Sequence, residues 1–127
     1  MIHRIQTAPN TYVNLEVKPY KSEPSLIISK SAATIIFNQS ETKLLNDIVQ
    51  AIDATKYILK EYGSLKKGTD LFKISISEFR GIKSFQIRQW LQSPTYSGYG
   101  KLGISLPTYK LKELQTHLIT ILQEFQN

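Results

Sequence analysis

Alternation of apolar and polar residues, clearest over residues 79–106, is the feature that most constrains the fold of this 127-residue chain. In a β-strand successive side chains point to opposite faces, so alternation predicts a strand with one buried and one hydrated face. One face of the predicted strand 82–91 carries Phe85, Ile87 and Leu91. The other face carries Ser84, Gln86, Arg88 and Trp90. Burial of apolar area explains the first face, but it does not explain a Trp and an Arg on the hydrated one.

Further strands are predicted wherever the same alternation or a short β-branched apolar run occurs. These are residues 11–18, 26–28, 34–37, 71–77 and 101–106, with a short leading strand at 3–6. Residues 64–70 are predicted to be a polar linker, and residues 93–100 a loop.

Two segments instead repeat apolar residues at the spacing of an amphipathic helix. The first is residues 41–61, with Ser40 as its N-cap and Gly63 just beyond its end. The second opens at Pro107 and Thr108. Its apolar stripe consists of Leu111, Leu114, Leu118, Ile121, Leu122 and Phe125.

The order of a β-rich run followed by a long helix therefore occurs twice, which predicts the α+β class. We interpret this order as a diverged internal duplication within a single domain spanning residues 1–127. The first repeat covers about residues 1–63 and the second about residues 70–127. The alternative is that the two sheet-and-helix units arose without duplication, since any α+β domain can contain two.

Composition narrows the class of protein. A hydrophobic content of 41% excludes a disordered chain, and the absence of cysteine excludes disulfides, thiolate catalysis and cysteine zinc sites. A net charge of +6 favours nucleic acid or another polyanion as the partner, although solubility alone also accounts for it. No secretory signal and no apolar run of about 20 residues is visible, so we expect a cytoplasmic protein without a membrane partner.

Three short motifs precede the second helix, namely Phe79-Arg80-Gly81, Phe85-Gln86-Ile87-Arg88 and Lys101-Leu102-Gly103-Ile104-Ser105-Leu106. Over about residues 71–125 they resemble the single-stranded-DNA-binding transcriptional coactivators typified by positive cofactor four. The resemblance implies a curved four-stranded antiparallel sheet followed by one helix, dimerisation through the helices, and grooves that hold single strands. Departures occur at Gln86 and Gln89, where the family has acids, at Leu102, which replaces a Lys, and at Leu91, which replaces an aromatic residue.

Combined with the repeat, the motifs resemble a small group of duplicated, uncharacterised cyanobacterial proteins. The implied architecture is an intrachain pseudo-dimer, in which antiparallel sheets pack on two main helices. The chain would then be a monomer with a pseudo-twofold axis, or a weak homodimer.

Single-stranded nucleic acid is held by cations that follow the phosphates and by aromatic rings that stack on bases. In the second half, the candidate binding residues are Lys73, Arg80, Arg88, Trp90, Tyr96, Tyr99 and Lys101. The first half adds Tyr12, Lys18, Tyr20, Lys21 and Lys30.

Each candidate also has a purely structural explanation. Trp90 can cover an edge of the core, Arg88 can pair with Glu78 across neighbouring strands, and the tyrosines at 96 and 99 can pin their own loop. Phe79 is expected in the core rather than on a stacking surface.

Catalytic motifs are absent from the sequence. His3 and His117 lie far apart, and no His-x-x-x-His, paired-Asp, phosphate-loop or nucleophile-elbow motif occurs. We predict no enzymatic activity, no metal and no cofactor. The predicted function is binding of single-stranded DNA or RNA, with a role in transcription regulation and the transcription machinery as a partner. The alternatives are a diverged, non-enzymatic protein-interaction module that has lost nucleic-acid binding, and a carrier of a small ligand in a cleft between sheet and helices.

Overall fold

A computed structural model describes residues 1–126, in which eight strands form two four-stranded antiparallel sheets. The first unit consists of β1 (Ile2–Ala8), β2 (Thr11–Tyr20), β3 (Glu23–Lys30), β4 (Ala33–Asn38) and helix α1 (Gln39–Gln50). The second consists of β5 (Lys60–Lys67), β6 (Asp70–Phe79), β7 (Ile82–Gln92), β8 (Ser97–Pro107), a 3-10 turn (Thr108–Lys110) and helix α2 (Leu111–Glu124). The strands of each sheet are adjacent in chain order. The α+β class and the repeated order of sheet and helix are therefore confirmed.

Inward-facing residues follow the predicted alternation in both sheets, except that Leu91, predicted to be buried with Phe85 and Ile87, is 38% exposed because it lies beyond the core near the end of β7. The buried side chains that confirm the alternation include Val13, Leu15, Phe72, Ile74, Ile76, Phe85, Ile87, Ile104 and Leu106. Together with the buried residues of α1 and α2 they form one hydrophobic cluster. The two units meet inside it where the rings of Phe37 and Phe72 pack edge to face, with centroids 5.4 Å apart.

The first helix is shorter than predicted, because α1 ends at Gln50 and residues 60–67 form the edge strand β5. The predicted helix 41–61 is thus wrong in its second half, and most of the predicted linker 64–70 is strand. Asp53 accepts hydrogen bonds from the backbone N–H and hydroxyl of Thr55, at 2.9 and 2.6 Å, and this local turn competes with helix. Gly63 does not cap a helix. A Cβ there would lie 2.9 Å from Ile48 Cδ1, so glycine allows β5 to approach α1 closely.

The cap of α1 also differs from the prediction of Ser40. Asn38 Oδ1 accepts from the Glu41 backbone N–H at 2.9 Å, and Glu41 Oε1 accepts from the Asn38 backbone N–H at 2.8 Å. This reciprocal capping box satisfies two N–H groups that the first turn leaves free. The second helical segment starts after Pro107 as predicted, first as a 3-10 turn.

The end of α1 is tied to α2 by side-chain amides. Gln50 Nε2 donates to the Gln115 carbonyl at 2.7 Å, while Gln115 Nε2 donates to the carbonyls of Val49 and Ile52, both at 3.0 Å. No helix within residues 1–126 is long and apolar enough to cross a membrane.

The units differ in the hairpin that joins their last two strands. Ile28 on β3 pairs with Ile35, seven residues later, whereas Ile87 on β7 pairs with Ile104, seventeen residues later. The β7–β8 hairpin therefore carries ten more residues than its counterpart. Several of the predicted binding residues lie in this extension. The second half of the predicted loop 93–100 is strand, because β8 begins at Ser97 and pairs with the end of β7.

Candidate nucleic-acid interface

Four of the predicted binding residues lie together on the outward face of the second sheet. Lys73 on β6 is directly opposite Arg88 on β7, and Trp90 on β7 is directly opposite Tyr99 on β8. Directly opposed residues project from the same face of an antiparallel sheet, and that face is the one turned away from the buried Phe72, Ile74 and Ile87. We call Lys73, Arg88, Trp90 and Tyr99 the cation–aromatic cluster.

Each cation of the cluster lies beside an aromatic ring. Lys73 Nζ is 3.6 Å from the centroid of the Trp90 ring, and Arg88 Cζ is 4.4 Å from the centroid of the Tyr99 ring. The two rings meet edge to face, with centroids 5.1 Å apart and an interplanar angle of 89°. Each contact is attractive because the face of an aromatic ring carries negative charge.

Glu61 on β5 provides the counter-charge in this cluster. Like charges directly opposite each other destabilise a sheet, so the Lys73–Arg88 pair costs stability. Glu61 Oε1 lies 3.4 Å from Lys73 Nζ and offsets part of that cost. Glu61 was not predicted to belong to the site, since its segment was expected to be helical; only the pairing of β5 with β6 places it there.

A glycine makes room for Arg88. Gly103 on β8 is directly opposite Arg88, and a Cβ at Gly103 would lie 3.3 Å from Arg88 Cγ and Nε. The absence of a side chain therefore lets the arginine extend over β8. The pairing of β7 with β8 is irregular between Arg88 and Trp90, where the longer hairpin begins.

Lys101 lies next to the cluster, at the rim of a shallow pocket of about 230 Å³. The pocket is lined by Gln86, Arg88, Lys101, Gly103, Ile104 and Ser105. Its charged side chains are two cations, so this part of the sheet face favours an anion.

Arg80 lies apart from the other candidates. It occupies the β6–β7 turn, whereas Trp90 lies near the opposite end of β7, and the rise of a strand places roughly 25 Å between the two ends. Phe79, expected in the core, is 73% exposed, because it closes this turn beyond the last core residues of the two strands. Arg80 Cζ lies 5.1 Å from its ring centroid. The β6–β7 turn therefore contains a second aromatic–cation pair, Phe79 and Arg80, which is separate from the cluster.

Tyr96 pins its own loop, which was one of the two alternatives for it. Its hydroxyl donates to the Tyr99 carbonyl at 3.0 Å, and Ser93 and Tyr96 exchange two backbone hydrogen bonds. Tyr96 is thus connected to the cluster through the backbone of Tyr99, while its own side chain remains exposed.

Trp90 does not cover an edge of the core, and Arg88 does not pair with Glu78, so the structural explanations given above for these two residues do not hold. Trp90 is half-buried and lies outside the hydrophobic cluster of the core. Glu78 lies opposite Lys83, five residues away from Arg88 along β7. The side chains of Trp90 and Arg88 therefore both belong to the hydrated face.

The candidates of the first half do not form an equivalent cluster. Lys21 Nζ lies 5.5 Å from the Tyr20 ring at the β2–β3 turn, and Tyr12 stands at the start of β2. Lys30 Nζ donates to the Ser105 carbonyl at 2.8 Å and so links β3 to β8. Lys18 is exposed near the end of β2.

Two histidines that seemed unrelated in the sequence meet between the units. His3, 6% exposed on β1, has its Nδ1 3.1 Å from His117 Nδ1 on α2 and its Nε2 3.0 Å from Glu124 Oε2. Burial lowers the pKa of His117, and the neighbouring His3 lowers it further, while Glu113 opposes the shift. In this chain of contacts His3 Nε2 donates to the Glu124 carboxylate, and one of the two facing Nδ1 atoms donates to the other. Within residues 1–126, no three His, Asp or Glu side chains, these included, are arranged so that they could hold a metal ion.

No protein-family model matches the chain, and no curated protein matches it.

Proposed function

We propose that this chain binds single-stranded DNA or RNA on the outward face of its second sheet, as a diverged relative of the coactivators typified by positive cofactor four. The observation that carries the proposal is the pair Lys73 and Arg88, opposed on a hydrated face and each beside an aromatic ring. Two opposed cations lower the stability of the free protein, and a bound anion would remove that cost. Such a pair therefore fits a site for a polyanion. A role in transcription belongs to the same proposal and follows from the resemblance alone.

On binding, the rings of Trp90 and Tyr99 would exchange their contacts with cations for contacts with bases. Phosphates would draw the Lys73 and Arg88 side chains off the rings of Trp90 and Tyr99, and bases would then stack on the exposed ring faces. A base stacked on an aromatic side chain contributes about 1–3 kcal/mol. A cation beside a ring at an exposed site contributes only about 0.5–1 kcal/mol. The exchange is therefore favourable, and sequence preference would be weak because every base has a stacking face.

The scaffold for this surface would be an intrachain pseudo-dimer. We propose that α1 and α2 form its centre, with the two sheets outside them. The glutamine contacts between the helices and the Phe37–Phe72 contact between the units support this arrangement. Small-angle scattering should then show a monomer with the radius of gyration of a single domain, about 14 Å for this length. An extended particle with two separate lobes would contradict it.

The test of binding is a fluorescence anisotropy titration with a labelled 15-nucleotide oligo-dT at about 50 mM salt. The affinity should fall steeply as salt rises. Since Trp90 is the single tryptophan, its own emission should change as the strand binds. Arg88→Ala should weaken binding severalfold, whereas Lys43→Ala, which removes the same charge from an exposed position on α1, should have little effect. Lack of binding at this salt concentration, or equal losses in both variants, would reject the proposal.

A protein-interaction module is the second candidate, because the β6–β7 turn exposes two large apolar side chains. Phe79 and Ile82 are 73% and 71% exposed and lie opposite each other. If this turn contacts a protein, capture of that partner should resist nuclease and be lost in Phe79→Ser/Ile82→Ser. Nuclease-sensitive capture would favour the nucleic-acid proposal.

A further inference from the structure

The two units offer equivalent hairpins whose outward residues can be compared position by position. The turn of the β2–β3 hairpin is closed by Tyr20 and Glu23, and that of the β6–β7 hairpin by Phe79 and Ile82; each turn has two residues. Six residues from the closing pair lie Asn14 and Ser29 in the first hairpin, and Lys73 and Arg88 in the second. The neutral pair and the cationic pair thus occupy the same place.

The surroundings of the neutral pair also differ from those of the cationic pair. The next outward pair is Glu16 and Ile27 in the first hairpin, where the second has Ser75 and Gln86. A carboxylate at this place repels phosphate, and an isoleucine offers it no hydrogen bond. Asn14 Oδ1 is buried without a hydrogen-bond partner, so this oxygen is not accessible to a ligand on the sheet face.

The rings of the cluster have no counterpart in the first unit. Trp90, Tyr99 and Lys101 lie between Ile87 and Ile104, in the hairpin that is ten residues longer. The matching β3–β4 hairpin turns at Ser31 and Ala32 and carries no aromatic residue between Ile28 and Ile35. Arg4 lies opposite Asn14, and Tyr12 is exposed on the same face, but the first unit has no opposed pair of cations with aromatic rings beside it.

We infer that one chain holds one single-stranded segment, on the second sheet, and that the first sheet does not bind nucleic acid. The inference rests on the proposed function and narrows it. A symmetric pseudo-dimer would present two equivalent faces and hold two strands, or two parts of one strand, whereas this chain presents one. Its partner is accordingly a short single-stranded segment that crosses a single sheet.

The experiment is a stoichiometric titration of the full chain with an eight-nucleotide oligo-dT, at protein concentrations well above the dissociation constant. Anisotropy of the labelled strand and Trp90 emission are recorded together. Both signals should saturate at one strand per chain. Continued binding seen by anisotropy after the Trp90 signal has saturated, or two strands per chain, would overturn the inference while leaving the proposed function intact. No binding at all would reject the proposed function and the inference with it.

Two double variants, made at equivalent places of the two hairpins, test whether only the second sheet binds the strand. Lys73→Ala/Arg88→Ala should lower affinity on the order of tenfold or more, because two phosphate contacts are lost. Asn14→Ala/Ser29→Ala, at the equivalent places of the first hairpin, should stay within twofold. Thermal denaturation of both variants verifies that they are folded. Equal losses of affinity in two folded variants would overturn the inference.

Discussion

Replacing Glu61 with glutamine is expected to tighten the binding of single-stranded nucleic acid. The Glu61 carboxylate lies 3.4 Å from Lys73 Nζ, so under the proposed function it would compete with phosphate for this cation. Glutamine keeps the size and hydrogen-bonding capacity of the side chain but removes its charge. Most substitutions in a binding surface weaken binding, so a gain in affinity is a discriminating result.

The magnitude follows from the distance and the exposure of the pair. At 3.4 Å two unit charges attract by about 1.2 kcal/mol in bulk water and by about 5 kcal/mol at an effective dielectric constant of 20. Glu61 is 49% exposed and Lys73 21% exposed, so screening favours the lower value. Measured exposed pairs contribute about 0.2–1 kcal/mol. Release of most of this energy should lower the dissociation constant by about two- to fivefold.

The assay is the anisotropy titration with oligo-dT, repeated at several salt concentrations. The control is Glu78→Gln, which makes the same change in net charge near the opposite end of β6. Glu61→Gln should bind about two- to fivefold tighter with a steeper salt dependence, because Lys73 then contacts phosphate fully. Glu78→Gln should change affinity less than twofold. An unchanged or weaker Glu61→Gln, or an equal gain in the control, would refute the role assigned to Lys73.

Three further predictions concern stability. Phe72→Ala should lower the free energy of unfolding by about 3–5 kcal/mol in urea denaturation, whereas Phe79→Ala, in the same strand but exposed, should cost far less. Asn38→Ala should cost about 1 kcal/mol through loss of the cap of α1, and Ser40→Ala much less. Because the pKa of His117 is lower in the folded chain than its ordinary value near 6.5, the stability it contributes is fully present above that pH and is lost as pH falls below it. In His117→Asn the free energy of unfolding should fall less as pH drops below 6.5. An unchanged pH dependence would contradict the role given to His117.

The strands were predictable because burial of one face imposes a period of two on the sequence. Phe72, Ile74 and Ile76 alternate with polar residues, and the structure buries all three. The end of α1 was not predictable in this way. The strand β5 depends on its pairing with β6 and on the approach of Gly63 to Ile48, and both are contacts between segments distant in sequence.

The site shows the same division between local and long-range information. The alternation of β7 places Arg88 and Trp90 on the hydrated face, so both could be selected from the sequence. The register of neighbouring strands is needed to bring Lys73 and Tyr99 to them and to add Glu61. The length of β7 separates Arg80, in the β6–β7 turn, from the cluster, although Arg80 is only eight residues from Arg88 in the sequence.

The division between inward and outward positions explains how the outward faces of the two sheets can differ while both units keep the same order of elements. In both hairpins the inward positions carry large apolar residues, as at Leu26 and Phe85, because the shared core requires them. The outward positions contribute little to that core, so the first unit can carry Asn14 and Ser29 where the second carries Lys73 and Arg88. Phe37 of the first unit packs on Phe72, which is the neighbour of Lys73 on β6. Substitutions in the core of the first unit should therefore affect binding only through the stability of the whole domain.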